Sequence, residues 1–287
     1  MSGEPSSRTA TIADDDEGAV VRVGIYGALG RMGQMLVRTL VLEADDESSK
    51  VVLTRAILSP HDAHVGRDIG PLCGQGVIGI EATSDLQASL AACDVLIDFS
   101  TAAATALLVP AAEQARVPLV IGTTGLSAAV LQAIEAASKH IPIVRSANMS
   151  PGVNVLLGLV QKASRALADY DAEIVEIHHR HKRDAPSGTA QLLAGAIQDG
   201  RAQACRAVTG RQGLYGPRDK AELGILAVRG GDVVGDHTVM LLGSGERVEL
   251  THRASSRDVF ARGALRAARW VVAQPPGEYS MADVLGL

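Results

Sequence analysis

The chain has 287 residues, a length that suits one large domain or two ordinary ones. Its net charge of −5 and aromatic fraction of 2% argue against nucleic-acid binding, which needs basic groups for phosphates and rings for stacking on bases. Hydrophobic residues form 47% of the chain, yet no apolar run approaches the ~18 residues of a membrane-spanning helix, so we expect no membrane partner either.

The first part of the chain, residues 1–19, is polar and acidic and lacks the basic start and apolar core of a signal peptide. We interpret it as a disordered lead-in to a cytoplasmic protein. The cysteines, Cys73, Cys93 and Cys205, are odd in number and form no CxxC pair. This pattern predicts reduced, buried thiols and argues against a disulfide framework or a zinc site.

Short β-branched segments alternate with Ala-rich helical segments from residue 20 to about residue 142. Such alternation is typical of βαβ units around a parallel sheet. The region therefore predicts a Rossmann-like, doubly wound α/β domain. The predicted strands are 20–26, 51–58, 94–99, 118–121 and 141–144, and the predicted helices are 32–42, 103–114 and 127–139.

After residue 150 the sequence changes to strands joined by Gly-rich turns, preceded by a predicted helix over 153–167. These elements predict a central α+β domain with a mixed or antiparallel sheet, which we expect to be mostly antiparallel. The segment 258–273 then returns to the spacing of an amphipathic helix. The predicted strands are 173–178, 224–229, 237–242 and 247–252, with turns at 230–232 and 243–245.

Three glycines, Gly27, Gly30 and Gly33, lie between the first predicted strand and its helix. Glycine lets such a turn tighten and lets backbone N–H groups approach a pyrophosphate at the helix N-terminus. Because this turn opens a series of βαβ units, it predicts nucleotide binding. Two later loops, GTTGL at 122–126 and SANMSPG at 146–152, follow strands and should face the same cofactor, unless they are only turns with helix caps.

The end of the second predicted strand lacks the acidic residue that takes the ribose hydroxyls of NAD in many such domains. The chain runs there through Leu58 and Ser59, and Asp62 lies farther along the loop. Arg31 and Arg55 could instead meet the 2′-phosphate of NADPH, or be ordinary surface charges. This position therefore predicts weak discrimination between NADH and NADPH.

The stretch EIHHRHKRDAPSGTA, residues 176–190, concentrates histidine and basic residues in a chain that is acidic overall. We expect a strand to end near His178 and a loop to lead into a helix capped by Asp184 or Ser187. At the start of that helix, backbone N–H groups would lie beside the ammonium of Lys182. This arrangement suits a small anionic substrate.

Three other interpretations fit parts of this cluster. Histidine is a common metal ligand, but no carboxylate or thiol partner stands at a characteristic spacing, so we predict no metal site. A nucleic-acid-binding patch fits the local charge but not the net charge of the chain. A solvated charged surface would need no function at all.

Five motifs together resemble the 4-hydroxy-tetrahydrodipicolinate reductase family, also called the dihydrodipicolinate reductase family. They fall in the family's order and cover the chain from about residue 20 to the end, and the HHRHK-to-DAPSGT string is the specific one. The sequence departs from the family at Leu29, where we expect glycine, and at Leu58 and Ser59, where we expect an acidic and then a basic residue. The motifs are GALGRMG at 27–33, GTTG at 122–125, SANMSPGVN at 146–154, EIHHRHKRDAPSGTA at 176–190 and GERVELTHRASSRDVFARGA at 245–264.

The resemblance implies a homotetramer that reduces 4-hydroxy-tetrahydrodipicolinate, a small dicarboxylate, to tetrahydrodipicolinate in diaminopimelate and lysine biosynthesis. It also implies that residues 20–149 and 258–287 form the dinucleotide-binding domain, whereas 150–257 form the substrate-binding and oligomerisation domain. His178 would be the proton donor and acceptor, and Lys182 a second acid.

The resemblance assigns binding roles as well. The substrate would be held by His179, Gly188, Thr189 and Arg257. NADH or NADPH would be bound by Gly27, Ala28, Leu29, Gly30, Arg31, Met32, Gly122, Thr123, Thr124, Ser146, Ala147, Asn148 and Met149.

Two competing functions remain open. A different nicotinamide enzyme, such as an aspartate or homoserine dehydrogenase, would explain the glycine turn but not the His–Lys cluster. A nucleotide-responsive regulator would need a partner-binding or DNA-binding element, and the sequence has no helix-turn-helix signal or basic arm.

Overall fold

The computed structural model describes residues 20–43, 51–202 and 204–287, so the predicted lead-in at 1–19 lies outside the described residues. The first sheet has seven strands, and all of its pairs are parallel. They are β1 Val21–Tyr26, β2 Val51–Ile57, β3 Ala82–Thr83, β4 Val95–Asp98, β5 Leu119–Ile121, β6 Pro142–Arg145 and β12 Gly277–Tyr279.

The order of these strands, β12-β6-β5-β4-β1-β2-β3, reverses direction between β1 and β4. In an open parallel sheet the ligand crevice lies at such a switch point, outside the carboxyl ends of the strands. The glycine turn follows β1 at this point. The predicted doubly wound α/β fold is therefore confirmed, although the short strands β3 and β12 were not predicted.

Helices cover both faces of the first sheet. Leu36 and Ala264 belong to the hydrophobic cluster on one face, and Leu108 and Ile134 to the cluster on the other. Because side chains alternate along a strand, neighbouring residues such as Leu96 and Ile97 enter different clusters. The helices are α1 Arg31–Glu43, α2 Ile69–Leu72, α3 Leu86–Leu90, α4 Ala102–Ala115, α5 Ala128–Ser138, α8 Asp258–Val271 and α9 Met281–Leu285.

The second sheet has five strands in the order β11-β10-β7-β9-β8, and two helices pack on one of its faces. The strands are β7 Asp171–His178, β8 Arg206–Val208, β9 Glu222–Arg229, β10 Gly235–Leu242 and β11 Arg247–Ala254, and the helices are α6 Pro151–Ala166 and α7 Gly188–Arg201.

The predicted central α+β domain with a mixed sheet is confirmed, but the expectation that this sheet is mostly antiparallel is wrong. β10 pairs antiparallel with β7 and β11, but β9 pairs parallel with β7 and with β8. Parallel pairs need long connections, and α7 and the loop at 209–221 provide them. Sequence periodicity does not indicate strand direction. The Gly-rich turns alone therefore suggest antiparallel hairpins, whereas the sheet is mixed.

The turn at 230–232 does not close a hairpin between its flanking strands, because β7 lies between them. It crosses the end of β7 instead. Gly230 donates its N–H to the carbonyl of His178 at 3.0 Å, and the N–H of His179 reaches the carbonyl of Val233 at 2.8 Å. This crossing turn encloses the end of the strand that carries the His–Lys cluster.

Two further features of the described residues are the burial of the cysteines and the hydropathy of the helices. Cys73 and Cys93 are buried, as predicted, but Cys205 is only partly buried. Among the described residues, no helix combines the length and hydropathy needed to cross a bilayer.

Candidate active site

The glycine turn after β1 packs so tightly that side chains would not fit. Gly27 has a φ of +83°, the left-handed region that glycine adopts readily. A Cβ on Gly33 would lie 2.2 Å from the carbonyl oxygen of Gly27, and a Cβ on Gly27 would lie 3.0 Å from that of Phe99. The turn therefore brings α1 against the ends of β1 and β4, as a dinucleotide-binding turn does.

The start of α1 suits an anionic group. Its first turn contains no acidic residue and begins with Arg31, so no carboxylate repels a phosphate at the positive end of the helix dipole. The glycines of the preceding turn leave room for such a group. The residues present therefore fit the pyrophosphate of NADH or NADPH.

A cleft of about 1590 Å³ lies between the two sheets and collects predicted residues from both halves of the chain. α6, α7, the loop after β7 and the C-terminal segment form its remaining walls. The predicted residues that line it are Arg31, Met32, Thr124, Ser146, Ala147, His178, His179, Lys182, Gly188, Thr189 and Arg257.

Other residues predicted to bind cofactor do not line this cleft. The side chains of Ala28 and Met149 are buried in the hydrophobic core, so they could meet a ligand only through the backbone. Thr123 is also buried, and its hydroxyl accepts a hydrogen bond from the backbone N–H of Ser100 at 3.1 Å. The rest of this group comprises Gly27, Leu29, Gly30, Gly122 and Asn148, which lie in the turns around the cleft.

Asn148 joins the two halves of the cleft. Its Nδ2 donates a hydrogen bond to Oγ1 of Thr189 at 3.0 Å, across a sequence separation of 41 residues. The SANMSPG loop of the first half is thereby fixed to the start of α7. This contact places a predicted cofactor loop directly beside a predicted substrate loop.

His178 is the last residue of β7 and is buried, with 9% of its side chain exposed. Nδ1 points inward and lies 3.2 Å from Oε2 of Glu176, a distance typical of an ion pair although the two atoms are not aligned as a hydrogen bond. Nε2 lies on the side of Gly235, where a Cβ would be only 3.0 Å away. Glycine at this position therefore leaves room for the ring.

Glu176 is completely buried and remains anionic. Its Oε1 accepts hydrogen bonds from the backbone N–H of Ser187 at 3.1 Å and from Nη2 of Arg229 at 2.9 Å. Burial works to raise the pKa of Glu176, but these hydrogen bonds outweigh it and hold the pKa below its usual value. The result is a fixed negative charge beside His178.

The pKa of His178 is lowered, first by burial and further by the positive charges of Lys182 and Arg229, against the opposing effect of Glu176. His237, on β10, packs edge-on against His178 with ring centroids 5.1 Å apart. Burial lowers the pKa of His237 to about 4, so this ring is neutral at physiological pH.

Glu176, His178 and His237 are close enough together to hold a metal ion. The sequence shows no carboxylate at a characteristic ligand spacing, but the strand places Glu176 on the same face as His178. Arg229 already supplies the positive charge that pairs with Glu176, which favours a hydrogen-bonded network over a metal site. The absence of a metal remains a prediction.

The remaining polar residues of the cluster lie at the mouth of the cleft. Lys182 pairs with the carboxylate of Asp184 at 2.9 Å. Nη2 of Arg257, at the start of α8, lies 3.1 Å from Nε2 of His179. The helix cap is Ser187, one of the two predicted candidates, and its Oγ accepts a hydrogen bond from the N–H of Ala190 at 3.2 Å.

Three residues of the site, Glu176, Arg229 and His237, were not predicted. Glu176 could have been found, because an acidic residue two positions before a histidine on a strand lies on the same face. His237 and Arg229 come from strands that flank β7, and their pairing depends on a sheet order that no local pattern encodes.

Comparisons with known proteins agree with this architecture. A family model described as "Dihydrodipicolinate reductase, N-terminus" matches residues 21–149, and one described as "Dihydrodipicolinate reductase, C-terminus" matches residues 152–285. The 4-hydroxy-tetrahydrodipicolinate reductase of Alkalilimnicola ehrlichii is 49% identical over 269 residues, which cover 93% of this chain and 99% of that protein. Its counterpart in Acinetobacter baumannii is 47% identical over 272 residues, 94% of this chain and 97% of that one.

Among solved structures, the dipicolinate-bound dihydrodipicolinate reductase from Paenisporosarcina sp. TG-14 has a similar fold. It superimposes with a TM-score of 0.73 at 22% identity, over 92% of this chain and 98% of that one. Together with the family models and the relatives that match almost the whole sequence, these findings show that the chain belongs to the dihydrodipicolinate reductase family.

Proposed function

We propose that this protein reduces 4-hydroxy-tetrahydrodipicolinate to tetrahydrodipicolinate with NADH or NADPH, in diaminopimelate and lysine biosynthesis. The observation that carries the proposal is the single cleft that holds Arg31 of the glycine turn together with His178 and Lys182. The names of the relatives support the choice of substrate. A dehydrogenase for aspartate or homoserine would leave the His–Lys cluster without a role.

The first half of the cleft holds the cofactor in this proposal. Backbone groups of the glycine turn and of the loops at 122–124 and 146–149 hold it, with the pyrophosphate at the start of α1. When bound, the reduced nicotinamide supplies the hydride that adds to the electron-poor imine ring of the substrate. Asn148 keeps this side of the cleft in register with the substrate loop through Thr189.

The second half binds a dicarboxylate. The ammonium of Lys182 and the N-terminus of α7, at Gly188 and Thr189, form a basic pocket for one carboxylate. His179 and Arg257, which contact each other, offer a second basic group on another wall. The solved relative with bound dipicolinate, a planar dicarboxylate, supports a substrate of this class.

His178 delivers the proton that neutralises the charge left by hydride addition. Its lowered pKa makes the ring neutral in the free protein, but the negative charge of a bound dicarboxylate favours protonation. A histidine poised in this way can act as a general acid near neutral pH. Lys182 assists as a second acid and holds the substrate in place.

The direct test of this function is a coupled assay. The purified protein is mixed with the product of dihydrodipicolinate synthase, and the loss of NADH and of NADPH absorbance is followed separately. We expect substrate-dependent oxidation of at least one cofactor. Oxidation of neither would refute the proposal.

We predict weak discrimination between the two cofactors. Leu58 at the end of β2 is buried, and the nearby carboxylate of Asp62 is already bound by the N–H and Nδ1 of His64 at 2.9 and 2.8 Å. β2 thus ends at Ile57, followed by Leu58, with no carboxylate at the strand end itself, and Arg31 at the start of α1 lines the cleft, where its positive charge can attract a 2′-phosphate. The kcat/KM values for NADPH and NADH should agree within roughly tenfold, or ~1.4 kcal/mol. A preference of about a hundredfold, in either direction, would contradict this prediction.

We also propose that the protein is a homotetramer assembled through the second sheet. α6 and α7 cover one face of this sheet. On the other face, strand register places Val175 beside Leu226 and Ile177 beside Val228, and 47% of Val228 is exposed. An apolar sheet face that no described helix covers suits an interface between copies of the chain.

Light scattering provides the test of assembly. At micromolar concentration the mass should be about four times the 29.8 kDa of the chain. Val228→Lys places a charge on the exposed face and should lower the mass, whereas Leu107→Lys, at an exposed position on α4, should leave it unchanged. A stable wild-type monomer would contradict the prediction.

Two further parts of the proposal concern organisation. The division into a dinucleotide-binding domain of 20–149 and 258–287 and a central domain of 150–257 is supported by the pairing of β12 with β6 and by the packing of α8 on α1. A cytoplasmic location fits an enzyme that draws on the reduced nicotinamide cofactors of biosynthesis.

A further inference from the structure

Behind the proposed proton donor, Glu176 uses its two carboxylate oxygens on different partners. Oε1 is bound by Arg229 and by the backbone N–H of Ser187, at 2.9 and 3.1 Å. Oε2 lies 3.2 Å from Nδ1 of His178 and 3.8 Å from Nε2 of His237. A completely buried carboxylate is stable only when its oxygens have partners, so the group that interacts with Oε2 must be identified.

His237 is the weaker of the two possible partners of Oε2 of Glu176. Its Nε2 is already 3.1 Å from Oγ of Ser187, and its low pKa keeps the ring without charge. Nδ1 of His178, by contrast, is buried and makes no hydrogen bond to any other described group. Oε2 of Glu176 and Nδ1 of His178 are therefore left to each other.

We propose that Glu176 is a positioning residue that keeps a proton on Nδ1 of His178, so that Nε2 is the atom that transfers the proton to the substrate. A carboxylate cannot donate a hydrogen bond, so the ring nitrogen that faces it must carry the hydrogen. In the charged ring both nitrogens carry protons. The Nε2 proton leaves to the substrate, the Nε2–H bond electrons stay on the ring, and the Nδ1 proton remains beside Glu176. This inference rests on the proposed function.

The same carboxylate links the proton donor to the substrate pocket. Ser187, held by Oε1, is the cap of α7 and directly precedes Gly188. Arg229 extends the link, because its Nη2 also donates to the carbonyl of Asp184 at 2.8 Å. Glu176 thus fixes the distance between His178 and the start of the helix that holds the substrate carboxylate.

Glu176→Gln separates these two tasks. The amide oxygen can still accept hydrogen bonds from Ser187 and Arg229, so the substrate pocket and KM should change little. The amide NH₂ then faces Nδ1 of His178 and donates to it, which moves the ring proton to Nε2 and opposes the charged form. We therefore expect the loss in kcat and not in KM.

The pH profile distinguishes this role from a merely structural one. The titratable groups around His178 are Glu176 on its own strand, His179 and Lys182 in the following loop, Arg229 on β9 and His237 on β10. Of these, His237 is neutral. An opposite charge within ~4–6 Å shifts a pKa by roughly one to three units. Removing the charge of Glu176 should move the alkaline limb of kcat/KM to lower pH by at least about one unit, so activity above both pKa values falls at least about tenfold. Glu176→Asp should restore part of the shift.

Nitrogen NMR of histidine-labelled protein tests the inference without substrate or turnover. In the wild-type protein at neutral pH, His178 should carry its proton on Nδ1, with Nε2 unprotonated, and His178→Gln identifies the signals. In Glu176→Gln the proton should move to Nε2. Glu173→Gln is the matched control, because Glu173 is a buried carboxylate on the opposite face of β7 that pairs with Arg211 and Arg218, and it should leave the signals of His178 unchanged.

The outcomes separate cleanly. An Nε2–H tautomer of His178 in the wild-type protein would overturn the inference, even if Glu176→Gln did not fold. An unchanged pH profile in folded Glu176→Gln would overturn it as well. A wild-type protein inactive in the coupled assay but carrying the Nδ1–H tautomer would instead refute the proposed function and leave the positioning contact standing.

Discussion

Replacing His178 with glutamine should lower kcat by about 10²- to 10⁴-fold, the usual contribution of general acid catalysis. Glutamine has a similar reach and its amide NH₂ can donate to the nearby carboxylate of Glu176, so the buried end of β7 and the shape of the cleft should persist. It cannot release a proton at neutral pH. KM for the substrate and the affinity for NADH or NADPH should therefore change little.

Steady-state kinetics under substrate saturation, with calorimetry for cofactor affinity, measure this effect. His140→Gln is a suitable control, because His140 precedes β6 at the amino end of the first sheet and its ring lies 3.6 Å from the partly exposed carboxylate of Glu113. The His140→Gln variant should retain the wild-type rate. If His178→Gln also turned over at the wild-type rate, the proton-donor assignment would be wrong and the cluster would be a binding surface.

Replacing Lys182 with methionine should weaken substrate binding by roughly ten- to a hundredfold, because a hydrogen bond to a charged group contributes ~1.5 to 3 kcal/mol. Methionine keeps most of the length of the side chain but loses the ammonium that faces the substrate carboxylate. Turnover should slow as well, since Lys182 is the proposed second acid. The loss should thus appear in both KM and kcat, unlike the loss in His178→Gln.

The ion pair between Lys182 and Asp184 supplies the control for this variant. Asp184→Asn removes the carboxylate but leaves the ammonium, and the side chain of Asp184 is 63% exposed. An exposed pair contributes at most ~1 kcal/mol, so Asp184→Asn should alter KM by less than about fivefold. Dissociation constants for dipicolinate, measured by calorimetry, provide the comparison. An unchanged constant in Lys182→Met would remove Lys182 from the substrate site.

The first half of the fold could be predicted from the sequence because its signals are local. The predicted parallel strands are short β-branched runs, and the long helices α1, α4 and α5 follow three of them with apolar residues on their packed faces. The strands β3 and β12 have only two and three residues and carry no such signal. The glycine turn is equally local, since Gly27 and Gly33 are required by contacts within one strand-turn-helix unit. The loop from His178 to Ser187 was predicted for the same reason, because the strand end and the helix cap are adjacent in sequence.

The second sheet and the buried network could not be predicted in the same way. The position of β7 between β9 and β10 depends on contacts between distant segments, and sequence alternation is the same for parallel and antiparallel strands. Arg229 and His237 reach Glu176 only through that order. Sequence reasoning therefore found many of the residues that line the cleft and missed the buried residues behind His178.

The most direct measurement of the central claim is the transfer of an isotope. The protein is incubated with the product of dihydrodipicolinate synthase and with NADH that carries deuterium at the transferable position of the nicotinamide ring. Mass spectrometry should find one deuterium in the tetrahydrodipicolinate formed, because the hydride passes directly from cofactor to substrate in the cleft. The account would be contradicted if neither NADH labelled on one face of the ring nor NADH labelled on the other gave deuterated product. It would also be contradicted if no product formed.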